Sequence, residues 1–357
     1  MTSGTPLRIA IIAGEESGDL LGADLITALK DIIGRPVELV GVGGRHLRQQ
    51  GLEPLFDGSD IALMGLSAVL RDLPRLARRI RQTADAVASA RPDCLITIDS
   101  PDFSLRVAKK LRAAAPSIPI VHYVCPSVWA WRPGRAPAMR PYVDRVLCVL
   151  PFEPAALERL NGPQGIYVGH RLTTHQGVLG ARAAQQGRAP DPTNHPAGEP
   201  RSLLVLPGSR RSEVRQLLAP FGETVRALAE RGHSFRVTLP TVPHVAPLIA
   251  DAVADWPVQP KIVQEEAEKW AAFGKADAAL AASGTVSLEL ALSGVPLISC
   301  YRPDRLAMAL MHRFITSWSA SLPNLIADWP VVPEFYNEFV RPAYLARLIE
   351  QLWDDTK

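Results

Sequence analysis

The sequence has few of the features that mark membrane-spanning, disulfide-bonded or zinc-stabilised proteins. Its 357 residues include only four cysteines, widely spaced and without a C-x-x-C pair, which argues for a reduced compartment and against a structural zinc site. The longest stretch free of Asp, Glu, Lys and Arg, residues 113–131, contains three prolines and so does not predict a spanning helix. The apolar run at 9–13 is too short for a signal peptide. We therefore expect a cytoplasmic protein with at most surface contact to a membrane.

Charge is almost balanced over the whole chain but is unevenly distributed. There are 39 Lys and Arg against 36 Asp and Glu, a net charge of +3. Residues 61–150 hold fourteen basic and six acidic side chains, a local +8 that leaves −5 for the remainder. A basic half indicates an acidic or membrane-bound partner. Because no motif of aromatic and basic residues for base recognition accompanies it, we do not expect nucleic acid to be that partner.

One stretch, Leu203-Leu204-Val205-Leu206-Pro207-Gly208-Ser209-Arg210, predicts an anion site. The apolar run is short enough for a buried parallel strand, and Pro-Gly ends it in a tight turn. Ser209 is predicted to cap a helix that begins near Arg211. The turn would then offer free N–H groups and the helix dipole to a phosphate, with Arg210 as a clamp. Gly208, Ser209 and Arg210 thus predict diphosphate binding, and an ordinary turn with solvated arginines is the alternative.

The same order of strand, turn and helix recurs at residues 282–289. Ser283, Gly284 and Thr285 can offer N–H and hydroxyl donors to phosphate oxygens. Glu289 lies one helical turn beyond Thr285 and can accept hydroxyl hydrogen bonds from a ribose. A plain capped helix with a solvated Glu289 is the alternative.

Asp99 is the candidate for acid–base chemistry. It follows an apolar strand predicted at 94–98, and Pro101 comes shortly after it. Doubly wound folds place reactive groups at this end of a strand, where a carboxylate can act as general base on an attacking hydroxyl. The alternative is that Asp99 or Asp102 only caps the next helix.

Aromatic residues beside arginines predict a lip that stacks on a sugar or lines an acyl channel. Trp129 and Trp131 stand two apart, and Arg132 and Arg135 follow them. His122, on the apolar strand before them, is interpreted as a core residue and receives no chemical role.

A basic amphipathic segment at residues 66–81 predicts a membrane surface. Apolar residues recur there at helical spacing between five arginines, and Met64 precedes them. This pattern suits an anionic membrane, and a helix that covers an α/β sheet has the same pattern. The candidate contacts on this surface are Met64, Leu66, Val69, Leu73, Arg75 and Arg78.

Strands and helices alternate in two sets, which predicts an α/β fold of two Rossmann-like domains with the ligand in a cleft between them. The domains are expected at 1–170 and 201–339. Residues 171–200 show no apolar period and predict a linker or mobile loop. The predicted strands lie near 7–13, 37–42, 94–98, 118–124 and 143–149 in the first set, and near 203–206, 235–239, 258–263, 278–282 and 296–300 in the second. A helix at 342–353 ends the chain.

These motifs, in this order, resemble the bacterial lipid-A-disaccharide synthases, a family of inverting glycosyltransferases with the two-domain GT-B fold. The specific part of the resemblance is the run Pro-Ser-Val-Trp-Ala-Trp at 126–131 together with the ordered set. The matching segments also include Ala13-Gly14-Glu15 with Ser17-Gly18-Asp19, Met64-Gly65, Asp99 with Pro101-Asp102-Phe103, His122-Tyr123-Val124, Pro151-Phe152-Glu153, Val168-Gly169-His170, Leu206-Pro207-Gly208-Ser209-Arg210, Ala282-Ser283-Gly284-Thr285 and Ser321-Leu322-Pro323-Asn324.

The resemblance implies a reaction. UDP-2,3-diacylglucosamine would transfer its sugar to 2,3-diacylglucosamine 1-phosphate, giving a β(1→6) disaccharide and UDP, without a cofactor or catalytic metal. Asp99 corresponds to the essential carboxylate and Arg210 to a ligand of the diphosphate. Gly14, Glu289 and Asn324 match positions near the nucleotide.

The resemblance also implies where the protein works. The family acts at the inner face of the cytoplasmic membrane, so a peripheral contact with phospholipid is expected. It further implies that the terminal helix, about 340–357, packs back on the first domain. A homodimer is left open.

Three other functions are alternatives. A UDP-N-acetylglucosamine 2-epimerase shares the scaffold but would need further acid–base groups and no acyl-binding surface. A dinucleotide oxidoreductase is poorly supported, because Gly41-Val42-Gly43-Gly44-Arg45-His46 lacks the last glycine of G-x-G-x-x-G. A nucleic-acid-binding module would leave both Rossmann-like halves unexplained.

Overall fold

The computed structural model describes residues 5–56, 69–188, 199–303 and 315–354, with the side chains of 69–73 left out. The chain forms two compact units, Met1–His170 and Arg171–Lys357. Each unit is a parallel six-stranded sheet with helices on both faces.

In the first unit the strand order is β2-β1-β3-β4-β5-β6. The strands are β1 (Leu7–Ala13), β2 (Val37–Val42), β3 (Cys94–Ile98), β4 (Ile120–Tyr123), β5 (Arg145–Cys148) and β6 (Gln164–Tyr167). The helices are α1 (Glu16–Ile33), α2 (Arg45–Gln49), α3 (Val69–Ala90), α4 (Pro101–Ala114), α5 (Arg135–Met139) and α6 (Glu153–Arg159).

In the second unit the strand order is β12-β11-β10-β7-β8-β9. The strands are β7 (Arg201–Leu206), β8 (Phe235–Pro240), β9 (Lys261–Val263), β10 (Ala278–Ala282), β11 (Leu297–Tyr301) and β12 (Glu334–Tyr336). The helices are α7 (Gln176–Gly187), α8 (Arg211–Glu230), α9 (Ala246–Val253), α10 (Glu266–Phe273), α11 (Thr285–Leu292), α12 (Leu322–Ala327) and α13 (Pro342–Asp354), with 3₁₀ turns at Arg171–Thr174 and Asn337–Phe339.

Continuous apolar runs form the central strands because both faces of each sheet are covered. In β7, Leu203 and Val205 enter one core cluster, while Leu204 and Leu206 enter the cluster on the opposite face. Burying each such side chain contributes about 2 kcal/mol. The alternation assigns neighbouring residues to opposite faces, as the side-chain period of a strand requires.

Strand order also fixes where a ligand is expected. In the first sheet the connections change direction between β1 and β3, and in the second between β7 and β10. The loops at the carboxyl ends of these two pairs leave to opposite faces, which opens a crevice at the sheet edge. Asp99 follows β3 and Arg210 follows β7, so each lies at the switch point of its own sheet.

The predicted linker at 171–200 is wrong for its first part. Residues Arg171–Thr174 form a 3₁₀ turn and Gln176–Gly187 form α7. Val178 and Ala181 are buried in a cluster with Trp270 and Phe273. The segment is rich in Gly and Ala and has few large apolar residues, so its sequence showed no helical period. Residues 189–198 lie outside the described residues.

The expectation that the terminal helix packs back on the first domain is also wrong. Leu345, Ile349 and Trp353 of α13 belong to the core cluster of the second unit. Glu350 accepts hydrogen bonds from Arg231 (2.6 Å) and His233 (2.7 Å), next to α8. The apolar stripe of α13 therefore covers its own unit's sheet.

All ten predicted strands are confirmed, whereas the edge strands β6 and β12 were missed. Both are short, and β6 is largely exposed, so neither carries an apolar run. Among the helices that the structure describes, none is both long and apolar enough to cross a bilayer.

Candidate functional site

A cavity of about 370 Å³ lies at the carboxyl edge of the second sheet. It brings both predicted phosphate turns together, because β7 and β10 are hydrogen-bonded neighbours. Its lining comprises Leu206, Gly208, Ser209, Arg210, Glu213, Pro240, Thr241, Val242, Lys269, Ala282, Ser283, Gly284, Thr285, Val286 and Glu289. Seven of the predicted nucleotide-binding residues are among them.

The first turn presents Arg210 to solvent and holds it through Glu213. The guanidinium Nη1 lies 2.9 Å from Glu213 Oε1, and the Arg210 side chain is 80% exposed. The other oxygen, Oε2, accepts the N–H groups of Ser209 (3.2 Å) and Arg210 (3.3 Å). A carboxylate thus occupies the anion position that the sequence predicted. The helix cap is Arg210, not Ser209 as predicted.

Gly208 is needed at this turn. Its φ of 112° is a left-handed conformation, and a Cβ there would lie 2.5 Å from Glu213 Oε2. A side chain at 208 would therefore displace the carboxylate that orders the turn.

In the second turn, Ser283 is bonded to neighbouring backbone, whereas Thr285 is exposed to solvent. Ser283 donates its N–H to Cys300 O (2.8 Å) and its hydroxyl to Ala320 O (2.9 Å), so both its donors bind neighbouring backbone. Thr285, the first residue of α11, is exposed. Thr285 is therefore better placed than Ser283 to donate to a phosphate.

Glu289 carries a partner that the sequence did not predict. Its Oε2 lies 2.6 Å from Lys269 Nζ, with both side chains mostly buried in the cavity wall. Lys269 also lies over the Trp270 ring, 4.3 Å from its centroid. A fixed carboxylate in a nucleotide-sized cavity suits hydroxyl groups of a sugar.

Asn324 is not part of this lining. It is buried, its amide nitrogen donates to Val332 O (2.9 Å), and its oxygen accepts from Val332 N (2.7 Å). The amide nitrogen also lies 3.3 Å from Glu334 Oε2, so the amide is held by its own unit, and its contact with nucleotide stays a prediction. Asn324 ties α12 to the segment that enters β12.

Asp99 stands at the carboxyl end of β3 in an unusual backbone conformation. Asp99 and Ser100 both have positive φ, 46° and 44°. The Asp99 N–H donates to Tyr123 O (3.0 Å), and the Ser104 hydroxyl donates to Asp99 O (2.6 Å). Two consecutive left-handed residues cost about 1–2 kcal/mol each, so these contacts hold a strained turn.

The environment of Asp99 suits a base. Burial raises the pKa of its carboxyl above the usual value, and a backbone hydrogen bond from Ser100 opposes that rise. The capping alternative is not supported, because Ser100 is the N-cap of α4 and this helix has no side-chain cap bond. Asp102 instead lies 2.8 Å from Arg135.

The glycine-rich turn after β1 has a structural role that the sequence did not show. Asp19 is buried and accepts the N–H groups of Gly44 (2.6 Å), His46 (2.8 Å) and Leu47 (3.2 Å). The turn after β2 thus binds the Asp19 carboxylate through Gly44, His46 and Leu47. Gly14 is buried at the end of β1 in the first unit, and its contact with nucleotide stays a prediction.

The two tryptophans of the predicted lip differ. Trp129 donates its indole N–H to Glu153 Oε1 (3.2 Å) and packs edge-on against Phe152, so it is tied to the core rather than presented as a lip. Trp131 is exposed, with the Arg132 guanidinium 4.1 Å from its ring centroid. Only Trp131 fits the predicted surface.

The described part of the basic segment covers the sheet from Leu76 onward. Leu76 and Ile80 of α3 are buried in the first unit's core, whereas Arg75 and Arg78 are exposed. Met64 and Leu66 lie outside the described residues, as do the side chains of Val69 and Leu73. The covering-helix alternative therefore holds from Leu76 onward.

Two cysteines that are widely spaced in the sequence come together in the fold. The sulfurs of Cys125 and Cys148 and a carboxylate oxygen of Glu153 lie within 4.8 Å of one another, all buried. Burial raises the pKa of Glu153 to about 7, although the N–H groups of Leu150 and Val149 and the Trp129 indole oppose the rise. The parallel sheet joins β4 to β5, which brings together residues 23 positions apart.

His122 behaves as interpreted. It is fully buried, and its Nδ1 lies 2.8 Å from Thr97 Oγ1 on the neighbouring strand. Burial, reinforced by Arg135, lowers the pKa of this histidine to about 3, so it is neutral.

Comparison with known proteins identifies the family. The family model described as lipid-A-disaccharide synthetase matches residues 9–356. The lipid-A-disaccharide synthase of Rhodopseudomonas palustris strain HaA2 is 50% identical over 355 residues, which cover 99% of this chain and 88% of that protein. The one from Nitrobacter hamburgensis is 48% identical, covering 98% and 86%. The chain belongs to the lipid-A-disaccharide synthase family. It is therefore a glycosyltransferase of lipid A biosynthesis.

Solved structures support the fold of this family member. MurG of Acinetobacter baumannii superimposes with a TM-score of 0.56 at 15% identity, over 97% of this chain and 91% of that one. A UDP-GlcNAc 2-epimerase of Neisseria meningitidis gives a TM-score of 0.62 at 13% identity, over 97% and 93%. These likenesses show the GT-B type of fold alone. The epimerase alternative is not favoured, because the close sequence relatives are synthases.

Proposed function

We propose that the cavity of the second unit holds the UDP part of a UDP-2,3-diacylglucosamine donor. The observation that carries this proposal is the exposed Arg210 at the switch point of the sheet, beside a turn whose N–H groups already receive a carboxylate. A diphosphate would take the place of the Glu213 carboxylate on those N–H groups and accept a charge-assisted hydrogen bond from Arg210. Thr285 would add a donor, and Glu289 would accept from the ribose.

We further propose that Asp99 is the general base. The 6-hydroxyl of 2,3-diacylglucosamine 1-phosphate attacks the anomeric carbon opposite UDP, and Asp99 takes the proton of that hydroxyl. The new carbon–oxygen bond forms as the bond to the diphosphate oxygen breaks, and UDP leaves with the electron pair. The raised pKa supports this role, because a more basic carboxylate takes the proton more readily near neutral pH.

Arg210 has a second role in this mechanism. Negative charge grows on the diphosphate as the bond to the sugar breaks. A guanidinium bound to that oxygen stabilises the transition state more than the ground state. The loss of one such contact typically costs about 3 kcal/mol, or roughly a hundredfold in rate.

A membrane contact through the first unit is proposed with it. Arg75, Arg78 and Arg81 of α3 are exposed, as are Trp131 and the Arg132 that stacks on it. Each arginine near an anionic bilayer contributes about 1 kcal/mol to binding. Vesicle flotation with and without phosphatidylglycerol tests this surface, and sedimentation tests whether the protein is a homodimer.

The activity test measures UDP release from the diacylated UDP-sugar, with and without the acceptor. Wild type is expected to release UDP only with acceptor and to form a disaccharide. Asp99→Ala should abolish this release, whereas Asp85→Ala, an exposed carboxylate on α3, should not. Release without acceptor would indicate hydrolysis or epimerisation, and a fully active Asp99→Ala would remove Asp99 as base.

A further inference from the structure

A second cavity, of about 560 Å³, lies at the carboxyl ends of β11 and β12. Large apolar side chains line it, and several are unusually exposed: Trp318 is 54%, Phe339 58% and Ile315 45% exposed. Tyr301 and Tyr336 complete the wall, with their rings edge to face at 6.5 Å. Exposed apolar residues that converge on a cavity mark a ligand site more often than a folding requirement.

Several polar groups beside this cavity are paired with one another. Glu334 accepts the Tyr336 hydroxyl (2.8 Å) and the N–H of Ala320 (3.1 Å), and Ser319 donates to it as well. The Ala320 N–H also lies 3.0 Å from the Tyr336 oxygen. A ligand that entered would therefore meet mainly ring faces and aliphatic carbon, with Ser317, Asn337 and the exposed Glu338 as the remaining polar side chains of the lining. This chemistry favours a hydrocarbon chain over a phosphate or a sugar.

The position of the cavity indicates which substrate carries the hydrocarbon chain. The sheet order places β11 beside β10, so this cavity continues the edge that holds the proposed UDP site. Ser283 lines the UDP cavity, Ala320 lines the second one, and the Ser283 hydroxyl donates to Ala320 O at 2.9 Å. The walls of the two cavities thus meet at this hydrogen bond.

The order of groups along the edge matches a UDP-sugar with acyl substituents. Thr241 and Val242 follow β8 and line the UDP cavity on one side, and the phosphate turns follow β7 and β10 nearer the middle of the sheet. Strands are spaced by about 4.8 Å, so β12 lies roughly 10 Å beyond β10. That is the direction in which the sugar and its chains would extend from the diphosphate.

We propose that the cavity walled by Tyr301, Ile315, Trp318, Tyr336 and Phe339 receives an acyl chain of the sugar nucleotide donor. This proposal rests on the proposed donor site in the same unit. The second unit would then bind both the acyl chain and the nucleotide of the donor. Trp318 and Phe339 would set the preference for acyl-chain length.

The test compares binding of UDP with binding of UDP-glucosamine that carries acetyl, butyryl or hexanoyl groups, by calorimetry without acceptor. Wild type is expected to bind the acylated donors more tightly as the chain grows, by up to roughly fourfold for each methylene buried. Trp318→Ser and Phe339→Ser should flatten this dependence and leave the dissociation constant of UDP unchanged. Both side chains are more than half exposed, so neither change should prevent folding.

Trp329→Ser is the matched control. Trp329 is 69% exposed in the same unit but does not line the cavity, so this variant should keep the wild-type dependence on chain length. Unchanged dependence in Trp318→Ser and Phe339→Ser would overturn the proposal. A change confined to the chain length of the acceptor, measured as its KM, would overturn it too and assign the cavity to the acceptor. Failure of wild type to bind UDP at all would instead refute the donor site itself.

Discussion

Replacing Arg210 by methionine should weaken UDP binding and leave the fold intact. The side chain is 80% exposed and contacts Glu213 on the same helix turn, so its removal opens no core cavity. Methionine keeps much of the aliphatic length and removes only the guanidinium. The variant therefore isolates the charge at the lip of the cavity.

The magnitude follows from what the guanidinium gains and gives up. A charge-assisted hydrogen bond to the diphosphate contributes about 1.5–3 kcal/mol. The exposed Arg210–Glu213 pair that must loosen contributes about 0.5 kcal/mol or less. The difference, about 1–3 kcal/mol, corresponds to a dissociation constant for UDP raised roughly 5- to 100-fold.

Calorimetric titration with UDP measures this effect, and Arg215→Met is the control. Arg215 lies on the same helix, is exposed and does not line the cavity, so its loss changes net charge equally. Its effect should stay within about twofold and fade with salt, because screening acts within about 8 Å at physiological ionic strength. Equal losses of UDP affinity in both variants would show that the affinity depends only on the overall charge of the protein. Wild-type affinity in Arg210→Met would refute Arg210 as a ligand of the diphosphate.

Three further outcomes are expected. Asp99→Asn should lower kcat by about 10²- to 10⁴-fold while the dissociation constant of UDP stays unchanged. In the wild type, the acidic limb of the pH profile of kcat/KM should lie above the usual aspartate pKa. An acidic limb at an ordinary aspartate pKa would count against Asp99 as the base. Asp19→Ala should destabilise the protein by about 3 kcal/mol in urea unfolding, because three N–H groups lose their acceptor, whereas the exposed Asp31→Ala on the same helix should cost little. Glu153 should make stability fall as pH rises from about 5 to 7, since its folded pKa of about 7 exceeds the value of 4.5 in the unfolded chain and the folded state then binds more protons. The fall is at most about 3 kcal/mol, and Glu153→Gln, which does not titrate, should lack it.

Much of the fold could be predicted because buried parallel strands have continuous apolar sequences. Residues 203–206 and 278–282 read as strands without any tertiary information, and their glycine turns placed Gly208 and Gly284 at the cavity. Edge strands carry no such run, so β6 and β12 were not visible. The α7 helix was hidden because its buried contacts are Val178 and Ala181, in a segment rich in Gly and Ala.

The site was only partly predictable, because pairing partners depend on which strands become neighbours. Arg210 and Thr285 could be proposed from local pattern alone. The Lys269–Glu289 pair and the Cys125, Cys148 and Glu153 cluster could not, since β-sheet order brings these residues together. The bonds of Asn324 to Val332 were equally invisible in the sequence, because a motif match does not show which backbone groups a side-chain amide will bind.

The two left-handed residues at the end of β3 have a consequence for engineering. Glycine adopts positive φ without a Cβ penalty, so Gly at 99 or 100 would relax the turn and raise stability by about 1 kcal/mol. A selection for heat resistance or expression alone would thus favour losing the Asp99 carboxylate. With Asp99 as the proposed base, folding and turnover would reward opposite residues at position 99, so a library design needs that position fixed or an activity screen in every round.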